Sequence, residues 1–536
     1  MTLPLMPMNP IDERFELRGR RGRPAPSDAR PLGAIALEKA RLDPDRLLVI
    51  EGERKLSRGE MLDQALRLGG ALLARGLRPR SAVAFQLPNW WEACVINLAA
   101  SLFGFRIVPL LTIYREAELG AMLPACGVEA IFIPAVHRGV DHRALVGRLE
   151  QRPAHVLTVR GEPDSTDDLA HMLRHDPGEP RLPNVDDIKL VLFTSGSTGH
   201  PKGVIHSHAT IDGTVRIAGE FWSIGPSDVL LVPSPIGHIG GSLYAFEFPW
   251  ITDCVTVLVD GWDADRAVQL IDERGVTFMA GATPFLSGLI AAAERAESAL
   301  PSLRRFICGG ASVPPELVRA GLARFRNAVV SRAYGSTEVP LVCPGIRARD
   351  EALLRADTDG EAAAEILILS EDGLPVREGV SGEITVRGPQ MFVGYLDPTD
   401  EDDAFTAEGY FRMGDLGRSV DGRFIEITGR KKDIIIRKGE NISPLEIENA
   451  LMRHPAVKQA AVIGVPDPER GEMVVAFVIA FEGAAFDRRV MIDHLETLGL
   501  ARQKFPERLE LVTGFPMNAV GKVQKNILRA EASAHD

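Results

Sequence analysis

The first two thirds of the chain alternate short apolar runs with amphipathic segments. Between Ser57 and Arg75, apolar side chains recur at positions 61, 62, 65, 66, 68, 72 and 73, which predicts a helix packed against a core. Ser57 fits its N-cap, and Glu60 completes a capping box. The same alternation predicts strands at 81–87, 107–111, 130–133, 229–233, 255–259, 277–281 and 305–308, and helices at 91–103 and ending near Cys126. This rhythm favours an α/β fold with a doubly wound, mostly parallel sheet.

The pattern changes near residue 365. Short strands punctuated by glycine, at 365–370, 382–388 and 422–429, predict a small antiparallel or barrel-like unit. After the charged stretch 430–433 comes an α+β segment of about 100 residues, the size of one small domain. Its first helix would start at Pro444, with Ser443 as N-cap and Glu446 closing a capping box. Its other elements are predicted as strands at 457–465, 473–480 and 509–512 and a helix at 488–498.

Composition narrows the class of protein. The 536 residues are 45% hydrophobic and 25% charged, as in globular proteins, and the length allows about two to four domains. A net charge of −12 disfavours a general nucleic-acid binder. Five cysteines without a CxxC pair favour buried, reduced thiols and a cytoplasmic location. The N-terminus lacks a leader pattern and no apolar run reaches about 18 residues, so neither a signal peptide nor stable membrane insertion is expected.

The clearest chemical motif lies at 190–203. An apolar run from Leu190 enters the small residues of 194–199 and then Pro201, Lys202 and Gly203. Glycines let backbone N–H groups converge on an anion, hydroxyls add donors, and the lysine adds a positive charge, so the segment indicates a phosphate loop. It is not a Walker loop, because GxxxxGK[ST] is absent. A Ser/Gly surface turn would explain 194–199 alone, but not the strand before it or the Pro-Lys-Gly after it.

Six further motifs follow the loop in order. They are Gly309-Gly310-Ala311, Tyr334-Gly335-Ser336-Thr337-Glu338, 410–415 (YFRMGD), 429–433 (GRKKD), 438–442 (KGENI) and 521–523 (GKV). Together with the loop they resemble the adenylate-forming superfamily, which comprises acyl-CoA synthetases, peptide-synthetase adenylation domains and firefly luciferase. The resemblance spans nearly the whole chain. It implies a large N-terminal domain at 1–430, including the barrel-like part at about 365–430, and a small mobile C-terminal domain at 433–536.

The resemblance also implies a site for ATP and Mg²⁺. The β- and γ-phosphates would be wrapped by Thr194, Ser195, Gly196, Ser197, Thr198, Gly199 and Lys202. Glu338, with Thr194, would hold Mg²⁺, a hard cation that prefers oxygen ligands. Thr337 would donate to the α-phosphate, and Asp415 with Arg430 would contact the ribose. The rest of the nucleotide pocket would be Tyr334 stacked on adenine, with Gly309, Gly310, Ala311, Gly335, Ser336 and Ile427.

Catalysis would use Lys522, Lys202, Thr337 and His238. Lys522 would bridge the α-phosphate and the acid in the first half-reaction, since a mobile cation can stabilise the pentavalent transition state. The surroundings of Lys522 also resemble the acetylation target of acyl-CoA synthetases, which implies a lysine acetyltransferase and deacetylase as partners. Lys432 occupies the hinge position. Coenzyme A would enter past Lys438, Gly439 and Glu440, with Arg437, Arg470 and Lys504 near its phosphates.

The resulting hypothesis is an ATP-dependent carboxylic acid:CoA ligase. The acid and CoA would be its small-molecule partners, and monomer and homodimer both remain open. The acid pocket would be lined by Trp222, 238–241, Pro284, Phe285, 309–311, Gly335 and Val339. Its apolar, glycine-rich character suits an alicyclic acid of the cyclohexanecarboxylate type or a medium chain. Alternatives are an acyl-AMP ligase that loads a carrier protein, an aryl-CoA ligase, and a nucleotide-binding module without catalysis.

Outside the family context, several of these residues have plainer interpretations. The segment 334–336 would be a simple turn with Glu338 in solvent, and Asp415 would be a loop cap. Lys522 would be a surface lysine, and His238 a packed structural histidine. The functional assignments of these residues therefore depend on the resemblance.

Overall fold

The computed structural model describes residues 28–194, 201–310, 312–517 and 523–533, and two seven-stranded sheets are the largest sheets in these residues. In spatial order the first sheet contains Val329–Arg332, Arg305–Cys308, Phe278–Gly281, Val229–Val232, Val255–Leu258, Leu47–Glu51 and Arg54–Ser57, with the last pair antiparallel and the others parallel. The second contains Gly394–Tyr395, Lys202–Ser207, Ile188–Thr194, Arg106–Pro109, Ala82–Phe85, Val128–Pro134 and His155–Val159, with the first two pairs antiparallel and the others parallel. The predicted mostly parallel architecture is confirmed.

Helices pack around and between these sheets. They are Leu32–Leu42, Arg58–Ala74, Trp91–Phe103, Glu116–Ala125, His142–Gly147, Leu169–Met172, His208–Trp222, Ile239–Ser242, Phe248–Ile251, Ala264–Arg274, Thr283–Arg295, Pro315–Arg324 and Arg349–Leu354, with a π-helix at Leu243–Glu247. The capping box of Ser57 and Glu60 is confirmed. A Cβ on Gly69 would lie 1.9 Å from the ring of Phe103, so glycine there lets two helices approach closely.

The region after residue 360 forms a separate antiparallel sheet. Its four strands are Glu365–Leu369, Gly382–Arg387, Phe411–Val420 and Phe424–Arg430, in that order. The three short strands expected from the sequence are present, and the longest one, Phe411–Val420, was not predicted. The smaller elements are a two-stranded ribbon of Val136–His137 and Val140–Asp141 and short 3₁₀ turns at Pro398–Glu401 and Lys431–Asp433.

The C-terminal part of the chain, from Asp433 onward, has an α+β architecture, as expected. It is called the small part below, and the residues up to Arg430 are called the large part. Its sheet runs Glu440–Ile442, Ile435–Arg437, Gly471–Ala480 and Val457–Asp467, with Arg508–Leu511 parallel to Gly471–Ala480. Its helices are Pro444–Leu451, Arg488–Thr497 and Lys525–Ser533, with a 3₁₀ turn at Arg502–Lys504. Their apolar faces pack in a core that includes Ile447, Val474 and Leu495. The hairpin at 435–442 was not predicted.

The expected capping box at Ser443 is wrong. Ser443 does precede the helix, but its hydroxyl donates to the carbonyl oxygen of Thr428 instead of accepting from the helix. Glu446 accepts two hydrogen bonds from Lys504, at 2.7 and 2.8 Å. Each half of the predicted box is therefore occupied by a partner from another element, which local sequence does not reveal.

Two expectations from composition concern thiols and membranes. All five cysteines are free and buried, as predicted. In the parts of the chain that the structure describes, no helix has the length and apolar character needed to cross a bilayer.

Candidate active site

The predicted phosphate loop joins two neighbouring strands. Thr194 ends Ile188–Thr194, Lys202 begins Lys202–Ser207, and the two residues face each other in the antiparallel register. The loop residues between them, Ser195, Gly196, Ser197, Thr198 and Gly199, lie outside the described residues, as do Ala311 and Lys522. The structure therefore describes the two flanks of the loop, at the carboxyl end of a parallel strand, where ligands bind in open α/β sheets.

Lys202 and Glu338 approach the same tyrosine. The Lys202 ammonium lies 3.1 Å from Oδ1 of Asp400 and 5.1 Å from the ring centre of Tyr395. The Tyr395 hydroxyl donates to Oε1 of Glu338 at 2.8 Å. The structure thus brings together the predicted phosphate lysine and the predicted metal carboxylate. Sequence reasoning missed Tyr395 and Asp400.

Glu338 lies within a tight turn at 336–339. Ser336 N–H donates to the carbonyl of Val339, and Val339 N–H donates to the Ser336 hydroxyl at 3.2 Å. A Cβ on Gly335 would lie 2.6 Å from the backbone nitrogen of Leu341, so only glycine fits there. This turn begins at the last residue of 334–336, the segment in which the plainer interpretation expects a turn. The Glu338 side chain is held by Tyr395, not left to solvent alone.

A buried histidine supports this turn. Nε2 of His206 lies 2.8 Å from the carbonyl oxygen of Thr337, and because a carbonyl only accepts, Nε2 carries the proton. Nδ1 lies 3.0 Å from the Thr210 hydroxyl. Burial lowers the pKa of His206 to about 4, so the ring is neutral at pH 7. Sequence reasoning missed His206, which directly follows the apolar pair Val204 and Ile205 in its strand.

The buried carboxylate of Asp415 contacts two polar side chains. One carboxylate oxygen accepts from the Tyr334 hydroxyl at 2.8 Å, and the other lies 3.1 Å from Nε of Arg430. Burial, with Asp415 nearby, raises the pKa of Tyr334 well above its usual value, so the phenol stays protonated and donates. The Asp415 side chain is 9% exposed and the Arg430 side chain 50%. The predicted trio Tyr334, Asp415 and Arg430 is therefore assembled in space.

A bulge in the antiparallel sheet directs Asp415. Glu383 pairs with Leu416, but Thr385 pairs with Arg412, so residues 413–415 form a bulge opposite a single residue. Gly414 takes φ +71° within the bulge, a conformation that glycine accepts without strain. The Gly-Asp pair in YFRMGD is thus the sequence signal of the bulge.

The remaining nucleotide-pocket residues lie at strand ends. Gly309 follows Arg305–Cys308, and its N–H donates to the carbonyl of Gly281 at the end of the neighbouring strand. A Cβ on Gly309 would lie 2.7 Å from the carbonyl oxygen of Ala333, and Gly310 has φ +82°. Ile427 is half-buried in the antiparallel sheet, and its N–H donates to Oδ2 of Asp359.

The expected acid pocket is only partly open. His238 caps the helix Ile239–Ser242, with Nδ1 accepting from the Gly240 N–H at 3.3 Å, which fits the structural interpretation of this histidine. Trp222 is 1% exposed, and its indole N–H donates to the carbonyl of Pro344. Its ring packs on Phe278 at 4.9 Å. The structure therefore places Trp222 in the core and not on an open pocket wall.

The predicted CoA residues form the turn of the hairpin 435–442. Lys438, Gly439 and Glu440 are exposed, with φ +51° at Lys438 and +82° at Gly439. No atom lies within 4 Å of a Cβ built on Gly439. Their basic neighbours form ion pairs within the small part: Arg437 with Glu507, Arg470 with Asp467 and Lys504 with Glu446. The contact of these basic residues with CoA phosphates stays a prediction.

The predicted hinge Lys432 is the middle residue of a short 3₁₀ turn. Beside it, Asp433 accepts from Arg529 at 2.9 Å, on the side of the small part. Lys431 lies 3.1 Å from Oε2 of Glu383, on the side of the large part. Burial alone would raise the pKa of Asp433, but the hydrogen bond from Arg529 and the charge of Lys525 outweigh burial. The pKa of Asp433 is therefore lowered, and the carboxylate stays charged.

Comparisons with known proteins agree with this arrangement. The model of the AMP-binding enzyme family matches residues 37–396, and that of the AMP-binding enzyme C-terminal domain matches 446–522. The chain is 32% identical over 508 residues to a medium-chain fatty-acid–CoA ligase of Escherichia coli (strain K12), covering 92% of this chain and 89% of the relative. It is 30% identical over 513 residues to a Rhodococcus jostii ligase named for a methyl-dioxo-octahydroindenyl propanoyl group and CoA, covering 90% of this chain and 95% of the relative.

A solved structure resembles the structure of this chain over nearly its whole length. ATP-bound MatB from Rhodopseudomonas palustris superposes with a TM-score of 0.83 at 28% identity, covering 94% of this chain and 98% of MatB. The family models together leave only short segments unmatched, chiefly 397–445 between them. The chain therefore belongs to the AMP-binding enzyme family, as an acyl-CoA synthetase of the adenylate-forming superfamily.

Proposed function

We propose that the chain is an ATP-dependent carboxylic acid:CoA ligase for an alicyclic acid, of the cyclohexanecarboxylate type, or a medium-chain acid. In the first half-reaction the carboxylate attacks the α-phosphorus of ATP, forming an acyl-adenylate and releasing pyrophosphate. In the second, the CoA thiol attacks the acyl carbon and loses its proton, and AMP leaves. The observation that carries the proposal is the trio of Tyr334, Asp415 and Arg430, which is assembled around the buried Asp415 carboxylate.

The carboxylate of Asp415 is suited to binding the ribose of ATP. A carboxylate can accept from both ribose hydroxyls, and Tyr334 and Arg430 fix its orientation through one contact on each oxygen. Tyr334 would stack on the adenine, alongside the glycines of 309–310. In the resting protein these groups are already assembled, so binding ATP requires little reorganisation.

Lys202 and the loop would receive the β- and γ-phosphates. Mg²⁺ would be held by Glu338 and Thr194, whose carboxylate and hydroxyl oxygens suit a hard cation. Within the described residues, no group of three or more His, Cys, Asp or Glu side chains could hold a metal, which fits an ion that arrives with the phosphates and keeps waters. Bound there, Mg²⁺ would neutralise negative charge on the phosphates.

The first half-reaction would depend on Lys522 and Thr337. Thr337 lies in the turn that His206 supports, which places it beside Glu338. Lys522 would orient the acid and stabilise charge at the α-phosphate. His238 would line the acid side. We expect Lys522→Ala to lose acyl-adenylate formation while Lys525→Ala, a neighbouring lysine paired with Glu448, retains it.

The second half-reaction would require movement about Lys432. The short turn 431–433 is bound to the large part through Lys431 and to the small part through Asp433. Rotation there would bring Lys438, Gly439 and Glu440 to the acyl-adenylate, with the close approach of pantetheine allowed by Gly439. Lys438 would be the basic residue nearest the CoA phosphates.

The choice of acid rests on the apolar lining and on the relatives. Half of the predicted lining is glycine or alanine, which would leave room for a compact ring or a chain. Among the relatives, one is named for medium-chain fatty acids and one for a fused-ring propanoyl group. An aryl-CoA ligase and an acyl-AMP ligase that loads a carrier protein are the alternatives.

A pyrophosphate-release screen tests the proposal. Benzoate, cyclohexanecarboxylate and straight and branched acids from short to medium length are offered with ATP and Mg²⁺, each with and without CoA. We expect the highest kcat/KM for cyclohexanecarboxylate or a medium chain, with acyl-CoA formed only when CoA is present. Preference for benzoate would favour the aryl alternative. Adenylate that accumulates unchanged in the presence of CoA would favour the carrier-protein alternative.

Acetylation of Lys522 would switch off the first half-reaction by removing the positive charge. Mass spectrometry of the protein from carbon-starved and carbon-fed cells tests this regulation. We expect an acetylated fraction that differs between the two conditions. Unmodified Lys522 in both would contradict it.

A further inference from the structure

Tyr395 contacts two residues that belong to different sheets. Lys202 begins a strand of the second sheet, and Glu338 follows the edge strand Val329–Arg332 of the first. The Tyr395 hydroxyl donates to Glu338 Oε1 at 2.8 Å, and the ring centre lies 5.1 Å from the Lys202 ammonium. One side chain therefore joins the cation and the carboxylate expected to meet the phosphates and their metal.

Tyr395 is itself held rigidly. Its two-residue strand pairs with Lys202–Ser207, with Tyr395 opposite Val204. Its backbone N–H donates to Oε1 of Glu401 at 3.0 Å, and its ring packs on Phe392 with 4.9 Å between centres. Burial and the neighbouring Glu338 raise the pKa of Tyr395, so its hydroxyl keeps the proton that it donates.

We propose that Tyr395 is a positioning residue that sets the Glu338 carboxylate for the metal and the Lys202 ammonium for the phosphates. The inference rests on the proposed function, since it needs those two roles. The hydroxyl fixes the carboxylate through a charge-assisted hydrogen bond, and the ring face attracts the ammonium. Asp400, 3.1 Å from that ammonium, balances its charge on the other side.

The two contacts can be removed separately. Tyr395→Phe keeps the ring and loses the hydroxyl, whereas Tyr395→Leu loses both. ATP binding is measured by calorimetry in the absence of acid, across Mg²⁺ concentrations and with the metal chelated. We expect Tyr395→Phe to raise the half-saturating Mg²⁺ concentration about tenfold and to leave metal-free ATP binding unchanged. Tyr395→Leu should also weaken metal-free binding, by about threefold.

A control variant separates the loss of the hydroxyl contact from a change in the packing of the aromatic cluster. Phe392→Leu is the matched control, because the Phe392 side chain is 1% exposed in the same aromatic cluster and has no polar atom. The backbone N–H of Phe392 donates to the Glu338 carbonyl oxygen, and the substitution keeps this bond. It should lower the melting temperature and leave the Mg²⁺ midpoint unchanged.

The outcomes separate this inference from the proposed function. If the wild-type protein binds ATP and releases pyrophosphate but Tyr395→Phe keeps the wild-type Mg²⁺ midpoint, the positioning role is overturned and the proposed function stands. A midpoint shift in Phe392→Leu equal to that in Tyr395→Phe would also overturn it, since packing alone would then account for the effect. A wild-type protein that binds no ATP would overturn both.

Discussion

Asp415 and Gly439 lie in very different surroundings. Asp415 is buried in the large part, and each of its carboxylate oxygens has a partner from another element. Gly439 lies at the exposed turn of a hairpin in the small part, and a Cβ built on it would meet nothing within 4 Å. The charged neighbours of this turn are paired among themselves.

The difference indicates two ways of building a site. On the nucleotide side, donors and acceptors are oriented before a ligand arrives, which lowers the reorganisation required during reaction. The turn of the hairpin is exposed, and in the proposed function it contributes only after it meets another part of the molecule. Preorganisation on one side and movement on the other suit a reaction in two steps.

The largest effect should follow from Asp415→Asn. The amide can still accept from Tyr334, but it lacks the charge that pairs with Arg430 and that, in the proposed function, binds the ribose hydroxyls. We expect kcat/KM for acyl-adenylate formation to fall about 100-fold, as measured by pyrophosphate release. Asp421→Asn, in the turn that follows the same strand, is the control and should remain within about twofold, because exposed ion pairs contribute little. If kcat/KM for acyl-adenylate formation fell less than threefold in Asp415→Asn, the trio would not be a nucleotide-binding group.

Gly439→Leu should affect only the second step. Leucine is strained at φ +82°, and its side chain would project into the space that pantetheine needs. We expect thioester formation from preformed acyl-adenylate to fall about 100-fold, with pyrophosphate release within twofold of the wild type. Gly483→Leu carries the same backbone penalty in another open turn of the small part, at φ +76°, and should spare both steps. Equal losses in both half-reactions would contradict the division.

The elements that local sequence could predict are those whose interactions are local. The capping box of the helix Arg58–Ala74 depends only on Ser57 and Glu60, which lie within one turn of each other. The box at Ser443 has the same local signature but failed, because Thr428 and Lys504 bind its two members from a distance. Local patterns therefore predict a bond only where no other element competes for it.

The supporting residues of the site could not be predicted in this way. His206 is 131 residues from Thr337, and Tyr395 is 57 residues from Glu338. Neither residue stands in a recognisable motif, since a histidine after two apolar residues and a tyrosine after glycine occur widely. The motif residues themselves could be placed together through family resemblance. Their partners depend on how the two large sheets pack.

The buried nucleotide side should be more sensitive to acid than the hairpin. His206 has its pKa lowered from 6.5 to about 4, so its contribution to stability is complete above pH 6.5 and is lost as the pH falls towards 4, where only the unfolded state has gained the proton. The contribution is about 3 kcal/mol. His206→Gln keeps an N–H for the Thr337 carbonyl and does not titrate. Urea unfolding at pH 7 and pH 5 should show a smaller loss of free energy of unfolding for His206→Gln, whereas identical losses would exclude His206 as the cause.

The smallest effect concerns the contact between the two regions. The Ser443 hydroxyl donates to the Thr428 carbonyl, which joins the first helix of the small part to the last strand of the antiparallel sheet. If the small part moves between the two half-reactions, this bond favours one orientation, and Ser443→Ala would shift the balance by about 1 kcal/mol, or about fivefold. We expect the ratio of the adenylation and thioester rates to change by up to that factor, with each step still active. Ser381→Ala, which loses a hydroxyl contact with Thr428 inside the antiparallel sheet, is the matched control and should leave the ratio unchanged. A ratio that moves equally in both variants would show that the effect comes from the sheet itself and not from the contact between the regions.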